Sequence, residues 1–248
     1  MTNEELSYEF DVLAQSYFRE GGFTVSDSSI LAFNEYEKSV FLTREQENLV
    51  IALYSDRSPI GGFENTEQLR RSLDSLIKAD PLSPDSSDLY HTYTGTQFFK
   101  LSPDVWFIVY EAGRYGEEGS SHNCPPSEDG YPVEIVPVTY DEFHRVKGNP
   151  FRGVNNGRAL RLDYGKNDTE NRYAEIVAKY PLEKYFVKYL KRPAPIILVD
   201  LPDGLSIDKV SSRTECQLHE QLHRMILDGA VKAAVQSRIV PNREQNQN

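Results

Sequence analysis

The sequence predicts an α+β fold: a helical N-terminal region followed by a mainly antiparallel β-sheet domain with a long C-terminal helix. Three observations predict it. Up to about residue 85 the apolar residues recur at helical spacing. Beyond PLSPDSSD, a Pro/Ser/Asp stretch at 81–88, the period changes to that of strands. Near the end, Leu218, Leu222, Met225, Ile226, Ala230 and Ala233 return to helical spacing. The chain therefore divides into a helical region at 1–85, a β-rich domain with its C-terminal helix at 86–240, and a flexible tail at 241–248.

The first helix covers residues 3–20. Asn3 is its cap, Leu6, Phe10, Leu13 and Tyr17 form its stripe, and Gly21–Gly22 stops it. The stretch EYEKSVFLTREQENLVIALYSD, Glu35 to Asp56, organises the region and reads as two short helices joined at Leu42–Thr43. Asn34 with Glu37, and Thr43 with Gln46, make two capping boxes. The first helix of the pair offers Tyr36, Val40 and Phe41; the second offers Leu49, Val50, Leu53 and Tyr54. A further helix begins at Asn65 or Thr66 and carries Leu69, Leu73, Leu76 and Ile77. Short amphipathic helices need a partner surface. The reading is that residues 1–85 dock onto a partner protein.

In the sheet domain, QFFKL and DVWFIVYE flank Ser102–Pro103–Asp104, a hairpin signal. Trp106, Ile108 and Tyr110 point one way and Phe107 and Val109 the other, as in a central strand covered on both faces, with Trp106 in the core. Residues 112–131 form a long polar loop holding Arg114, Glu117, Glu118, Glu128 and Asp129; a loop of this length is either functional, in interaction or channel lining, or simply disordered. YPVEIVPV, ALRLD, YAEIVAKY, KYFVKYLK and PAPIILVD are strands. Thr139 and Glu142 cap a short helix, and NPFRGVNNGR reads as a buttressed loop. LPDG at 201–204 is a turn, and Thr214 with Gln217 starts the last helix.

The 248 residues suffice for a real core. Twenty-seven basic against 38 acidic residues give a net charge of −11, which argues against a dedicated DNA-binding protein and is compatible either with a surface along which DNA slides or with acidity for solubility alone. Cys124 and Cys216 are too few for a disulfide scaffold or a Cys-rich zinc site. The N-terminus has no apolar signal core, and no run approaches the ~20 apolar residues that span a bilayer.

One motif carries chemistry on paper. His219–Glu220–Gln221–Leu222–His223 matches H-E-x-x-H, in which histidines at i and i+4 hold Zn²⁺ and the glutamate activates water. Its context lacks a third ligand: the metzincin pattern needs Gly at 226 and His at 229, where Ile226 and Gly229 stand. Surface histidines beside a leucine stripe are the plainer reading. Arg70–Arg71 and the group Lys184, Lys188, Lys191 and Arg192 are basic patches. Lys184 and Lys188 share a strand face with Phe186 and suit an acidic neighbouring subunit or solvent better than nucleic acid, since the chain is net acidic.

EYEKSVFLTREQENLVIALYSD, FENTEQLRRSLDSLIK, FKLSPDVWFIVYE, PVTYDEFHRVKGNPFRG, ALRLDY, KYFVKYLKRPAPIILVDLPDGLSID and TECQLHEQLHRMILDGAVKAA occur in that order over most of residues 32–236. Together they resemble a family of structural virion proteins from crAss-like phages of Bacteroidetes, ring components of the head-to-tail connector. The resemblance implies a homo-oligomeric ring, dodecameric, in the neck of a short tail between portal and tail. Its partners would be further copies, the portal protein and other connector or tail rings, and residues 1–85 would dock onto a neighbouring ring or the portal. It would bound the DNA channel through which genome ejection proceeds, without specific DNA binding and away from any membrane. It would be assembled in the host bacterial cytoplasm, with no catalytic residue, no cofactor and no metal. The rival readings are an HExxH zinc metallohydrolase and a scaffold or cargo protein of the capsid.

Overall fold

The computed structural model describes residues 1–20, 32–55, 71–86, 89–116, 132–166, 171–202 and 204–238. The chain forms two compact units: Met1–Leu76 with Pro193–Asn248, and Ile77–Arg192. The break expected near residue 85 therefore lies at Leu76/Ile77, and the C-terminal helix groups with the N-terminal helices rather than with the sheet.

The helical unit contains α1 (Asn3–Glu20), α2 (Glu35–Tyr54) and, at the far end of the chain, α4 (Glu220–Arg238). Thr2, not Asn3, caps α1: its hydroxyl accepts from Glu5 N at 3.2 Å while Glu5 Oε2 accepts from Thr2 N at 2.9 Å. The buried stripe of α1 is Leu6, Phe10, Ala14 and Phe18, turned slightly from the expected one. On α4, pairs recur every four residues: Leu222/His223, Ile226/Leu227, Ala230/Val231 and Ala234/Val235. Both α1 and α2 pack against α4. The buried stripes of α1 and α2 are thus covered within the unit, while Tyr8, Val12, Val40 and Ile51 stay exposed.

Two corrections concern helix starts. The stretch from Glu35 is one continuous helix with the Asn34/Glu37 capping box at its start. The expected second cap, Thr43 with Gln46, lies inside it with both side chains turned to another segment. Val40 is exposed, while Lys38, Ser39 and Leu42 are buried. Likewise α4 begins at Glu220; Thr214 instead bridges Ile197, and Gln217 O accepts from Ser75 Oγ. Asn65, Thr66 and Leu69 lie outside the described residues, Leu73 and Leu76 are buried, and Ile77 opens a strand. Gly21–Gly22 also lies outside them.

The sheet unit contains β1 (Ile77–Leu82), β2 (Gln97–Lys100), β3 (Val105–Tyr115), β4 (Pro132–Pro137), the short helix α3 (Tyr140–Val146), β5 (Arg158–Lys166), β6 (Arg172–Val177) and β7 (Leu182–Lys191). Strand order is β1-β7-β3-β4-β5-β6-β2, with β4 and β5 parallel and every other neighbour antiparallel. The β2–β3 hairpin is therefore not formed: β2 pairs with β6, far from β3. PLSPDSSD begins inside β1, whose Pro81 lies opposite Phe186. PAPIILVD joins no sheet; it belongs to the helical unit.

The sheet rolls up on itself. Phe99 of β2 meets Tyr185 of β7 at 5.3 Å between ring centroids, although the two strands stand far apart in the order. The Gln97 amide donates to Leu182 O at 3.1 Å and accepts from Leu182 N at 2.6 Å, imitating a ladder residue. Asp85, just after β1, bridges Phe98 of β2 and donates its N–H to Phe98 O at 2.8 Å. One edge strand is thereby joined to the other, which removes the open edges that invite aggregation. The interior holds Phe99, Leu101, Val105, Val133, Ile135, Ala174, Ile176, Tyr185, Val187 and Tyr189. Outside, Phe143 and Val146 of α3 cover Leu160, Leu162 and Val177.

β3 departs from the expected doubly covered strand. Register shifts between Val105 and Phe107 and between Ile108 and Tyr110 break its alternation. Ile108 packs on the interior, Tyr110 is 55% exposed, and Trp106 stacks half-buried on Phe107 rather than filling the core. The NPFRGVNNGR loop is buttressed as expected. Asn149 Oδ1 accepts from Phe151 N and Arg152 N, and Arg158 bonds Phe151 O and Glu134. A Cβ on Gly153 would lie 2.6 Å from Asn149 O and 2.8 Å from Val146 O, both backbone, so only glycine fits.

An ion pair lies inside the roll. Arg161 Nε meets Glu111 Oε2 at 2.7 Å, with the side chains 11% and 7% exposed, and Tyr185 OH donates to the same oxygen at 2.7 Å. Removing one partner strands the other charge. Glu111→Ala should therefore destabilise the sheet unit by about 3–5 kcal/mol, and adding Arg161→Leu should recover part of that loss. Denaturant midpoints of the two single variants and the double variant would check it; additive losses would contradict it.

Candidate functional site

The two histidines of the HExxH motif stand in different settings, His219 exposed and His223 buried. His219 precedes α4, and its Nδ1 accepts from Gln221 N at 3.4 Å. His223 lies in the first turn of α4 and is 5% exposed, a core residue rather than the surface histidine expected. Its Nε2–H donates to Leu218 O at 2.9 Å, and its Nδ1 lies 3.1 Å from the Met1 amine. Both ring nitrogens are occupied, so the spacing of an HExxH motif is present without a ligand pair. Among the described residues, no group of three or more His, Cys, Asp or Glu side chains is placed to hold a metal ion.

Glu175, Lys38 and Tyr185 are buried polar groups with partners of their own. Glu175 is fully buried, and both its oxygens accept from Thr92, from N at 2.7 Å and from Oγ1 at 2.6 Å, which ties the Tyr90–Tyr93 segment down. Lys38 is 2% exposed and reaches Asp11 at 2.7 Å, Glu35 at 2.9 Å and Ser7 at 3.0 Å. Burial pulls its ammonium pKa down, and the bonds to Asp11 and Glu35 more than offset that, leaving it above the ordinary value. Burial and then the Glu111 charge push the Tyr185 phenol far up, so it stays a donor. These groups join elements; none faces an open site.

The most informative constellation was not legible as a motif. Ser39, Thr43 and Gln46 line one face of α2 and hold an extended segment at residues 194–198. Ser39 Oγ accepts from Leu198 N at 3.1 Å. Thr43 Oγ1 accepts from Ile196 N at 3.0 Å and donates to Ile196 O at 3.3 Å. Gln46 Nε2 donates to Ala194 O at 2.8 Å, and its oxygen accepts from Cys216 Sγ at 3.3 Å. On the other edge, Ile197 exchanges backbone bonds with Thr214, and Asn3 Nδ2 donates to the carbonyls of both. A helix side-chain row thus substitutes for a neighbouring strand. The signal was the polar i, i+4, i+7 spacing, which resembles a cap until the partner is seen. Cys216 is a free thiol whose pKa burial raises; Cys124 lies outside the described residues.

The exposed surface is aromatic in places: Tyr8 is 73% exposed, Tyr90 80% and Phe151 85%. Lys184 and Lys188 do flank Phe186 on the outer face of β7, at alternate positions. Residues 112–115 of the expected acidic loop are strand, and Glu117, Glu118, Glu128 and Asp129 lie outside the described residues, as does Arg70. No helix among the described residues is long and apolar enough to cross a membrane.

A model of the phage tail ring protein 3/4 family matches residues 1–246. The chain belongs to that family. It is 41% identical over 240 residues to Ring protein 3 of Bacteroides phage crAss001, covering 96% of each chain. It is 27% identical over 242 residues to Ring protein 4/5 of the same phage, covering 94% of this chain and 92% of that one. A phage ring protein is a structural component of a virion, and membership of the family supports that role for this chain.

Two measurements follow. Thr43→Val leaves Ile196 N–H buried without an acceptor and should cost about 1–3 kcal/mol, seen as a lower melting temperature and faster exchange of the Ile196 amide. An unchanged exchange rate would count against the latch. Burial, partly opposed by the Leu218 carbonyl, holds the His223 pKa below its ordinary value. The unfolded chain therefore binds that proton first, and stability falls as pH drops below about 6.5. Between pH 7 and 5 the urea midpoint should fall more steeply for the native chain than for His223→Gln; equal slopes would contradict it.

Proposed function

We propose that copies of this chain close into a ring in the head-to-tail connector, between portal and tail, and bound the channel through which DNA passes. The observation that carries the reading is the match over nearly the full length to two ring proteins of one phage. The higher identity to Ring protein 3 favours the corresponding ring in its own virion. A net charge of −11 suits a wall past which DNA moves without adhering. Its neighbours are then further copies, the portal and the adjacent rings, and the ring is dodecameric in keeping with the connector family. The reading assigns no catalytic residue and no cofactor.

Negative-stain microscopy of the purified full chain, alone and mixed with portal, tests this. Closed rings of uniform subunit number that stack on portal are expected. A monomer that stays monomeric at high concentration and leaves portal bare would overturn the reading.

A further inference from the structure

We propose that the outer face of β1, β7 and β3 in one copy receives the outer face of α1 from a second copy; this contact rests on the ring reading above. The register sets Pro81, Phe186 and Ala112 in one row and Ala79, Lys188 and Tyr110 in the next. Phe186 is 38% exposed and Tyr110 55%. Among the described residues, Lys188 Nζ lies 5.9 Å over the Tyr110 ring with no carboxylate partner, and Lys184 bonds only the Ser83 hydroxyl, at 2.8 Å. Over β4, β5 and β6 the outer face is capped by α3. Here it is an open row of apolar side chains set between lysines.

In a chain of net charge −11, a cationic aromatic face is the exception, and the surface that complements it is acidic and apolar. α1 provides one. Glu5, Tyr8, Glu9 and Val12 fall at i, i+3, i+4 and i+7, and Tyr8 and Val12 are 73% and 50% exposed. Leu6, Phe10 and Ala14 on the opposite side are in the core, so α1 presents this face without leaving its unit. The spacing also fits: about 6 Å between Tyr8 and Val12 along a helix and about 7 Å between Phe186 and Lys188 along a strand. Two unlike faces make a heterologous contact, the kind that repeats around a ring. Aromatic side chains between the lysines favour a protein partner over nucleic acid, whose backbone would call for a denser cationic track.

Lys188→Glu, Glu9→Lys and the combination of both would be made in the full chain. The concentration at which half the chains are assembled would be read by mass photometry. Each single reversal should raise that concentration about tenfold or more, and the combination should return it to within about threefold of the native value. Native-like assembly of either single variant, or failure of the combination to restore assembly while each variant keeps its circular dichroism, overturns the contact but leaves the ring reading standing. So does a native ring that retains duplex DNA through Lys188. A native chain that never assembles overturns the ring reading and the contact together.

Discussion

Ser39, Thr43 and Gln46 determine where the chain goes after it leaves the sheet. An extended segment outside any sheet has backbone donors and acceptors on both edges, and each one left buried and unpaired costs about 1–3 kcal/mol. Residues 194–198 escape that cost because α2 supplies one edge from its side chains and Thr214 supplies the other. Ile196, Ile197 and Leu198 can then be buried outright. The same latch brings the chain back into the unit that holds α1 and α2, where α4 completes the packing. Sequence-distant ends thereby build one core.

The sheet unit solves a related problem differently. A seven-stranded sheet has two edges, and this one joins them through the Asp85–Phe98 bridge and the Gln97 amide on Leu182. Its interior is lined by tyrosines whose hydroxyls need partners, and Glu111 with Arg161 serves Tyr185 while Asp80 serves Tyr189. Gly113 belongs to the same arrangement: a Cβ there would sit 3.0 Å from Leu182 Cδ2 on the neighbouring strand β7. The side chains that would carry chemistry elsewhere are here committed to closing a roll.

Much of this was legible, and the failures share a cause. The first and last helices, the strand segments after residue 97, the Thr139 cap and the buttressed loop follow from local periodicity and turn chemistry, which short windows record. Strand partners do not. Ser102–Pro103–Asp104 carries a hairpin signal, yet β2 crosses to β6, because pairing is decided by which apolar faces meet in the closed roll. Thr43 and Gln46 have the spacing of a capping box, and PAPIILVD has the composition of a buried strand. Each pattern is genuine, and each is used for the other: the polar row binds the apolar segment. His219 and His223 failed as a site for a similar reason, since identity and spacing do not report that a ring is buried with both nitrogens bonded.

The family supplies the function, and the fold accounts for how one chain can serve it. Units whose chemistry-bearing side chains are mostly engaged internally leave their surfaces for partners, and those surfaces carry exposed aromatic residues. Heterologous contacts between such surfaces close rings. The most direct test is a cryo-electron microscopy reconstruction of the virion neck at side-chain resolution. The account predicts a closed ring of this chain between portal and tail around the DNA path, with residues 194–198 held by α2 in every copy. Copies found inside the capsid, or a neck with no density for this chain, would contradict it.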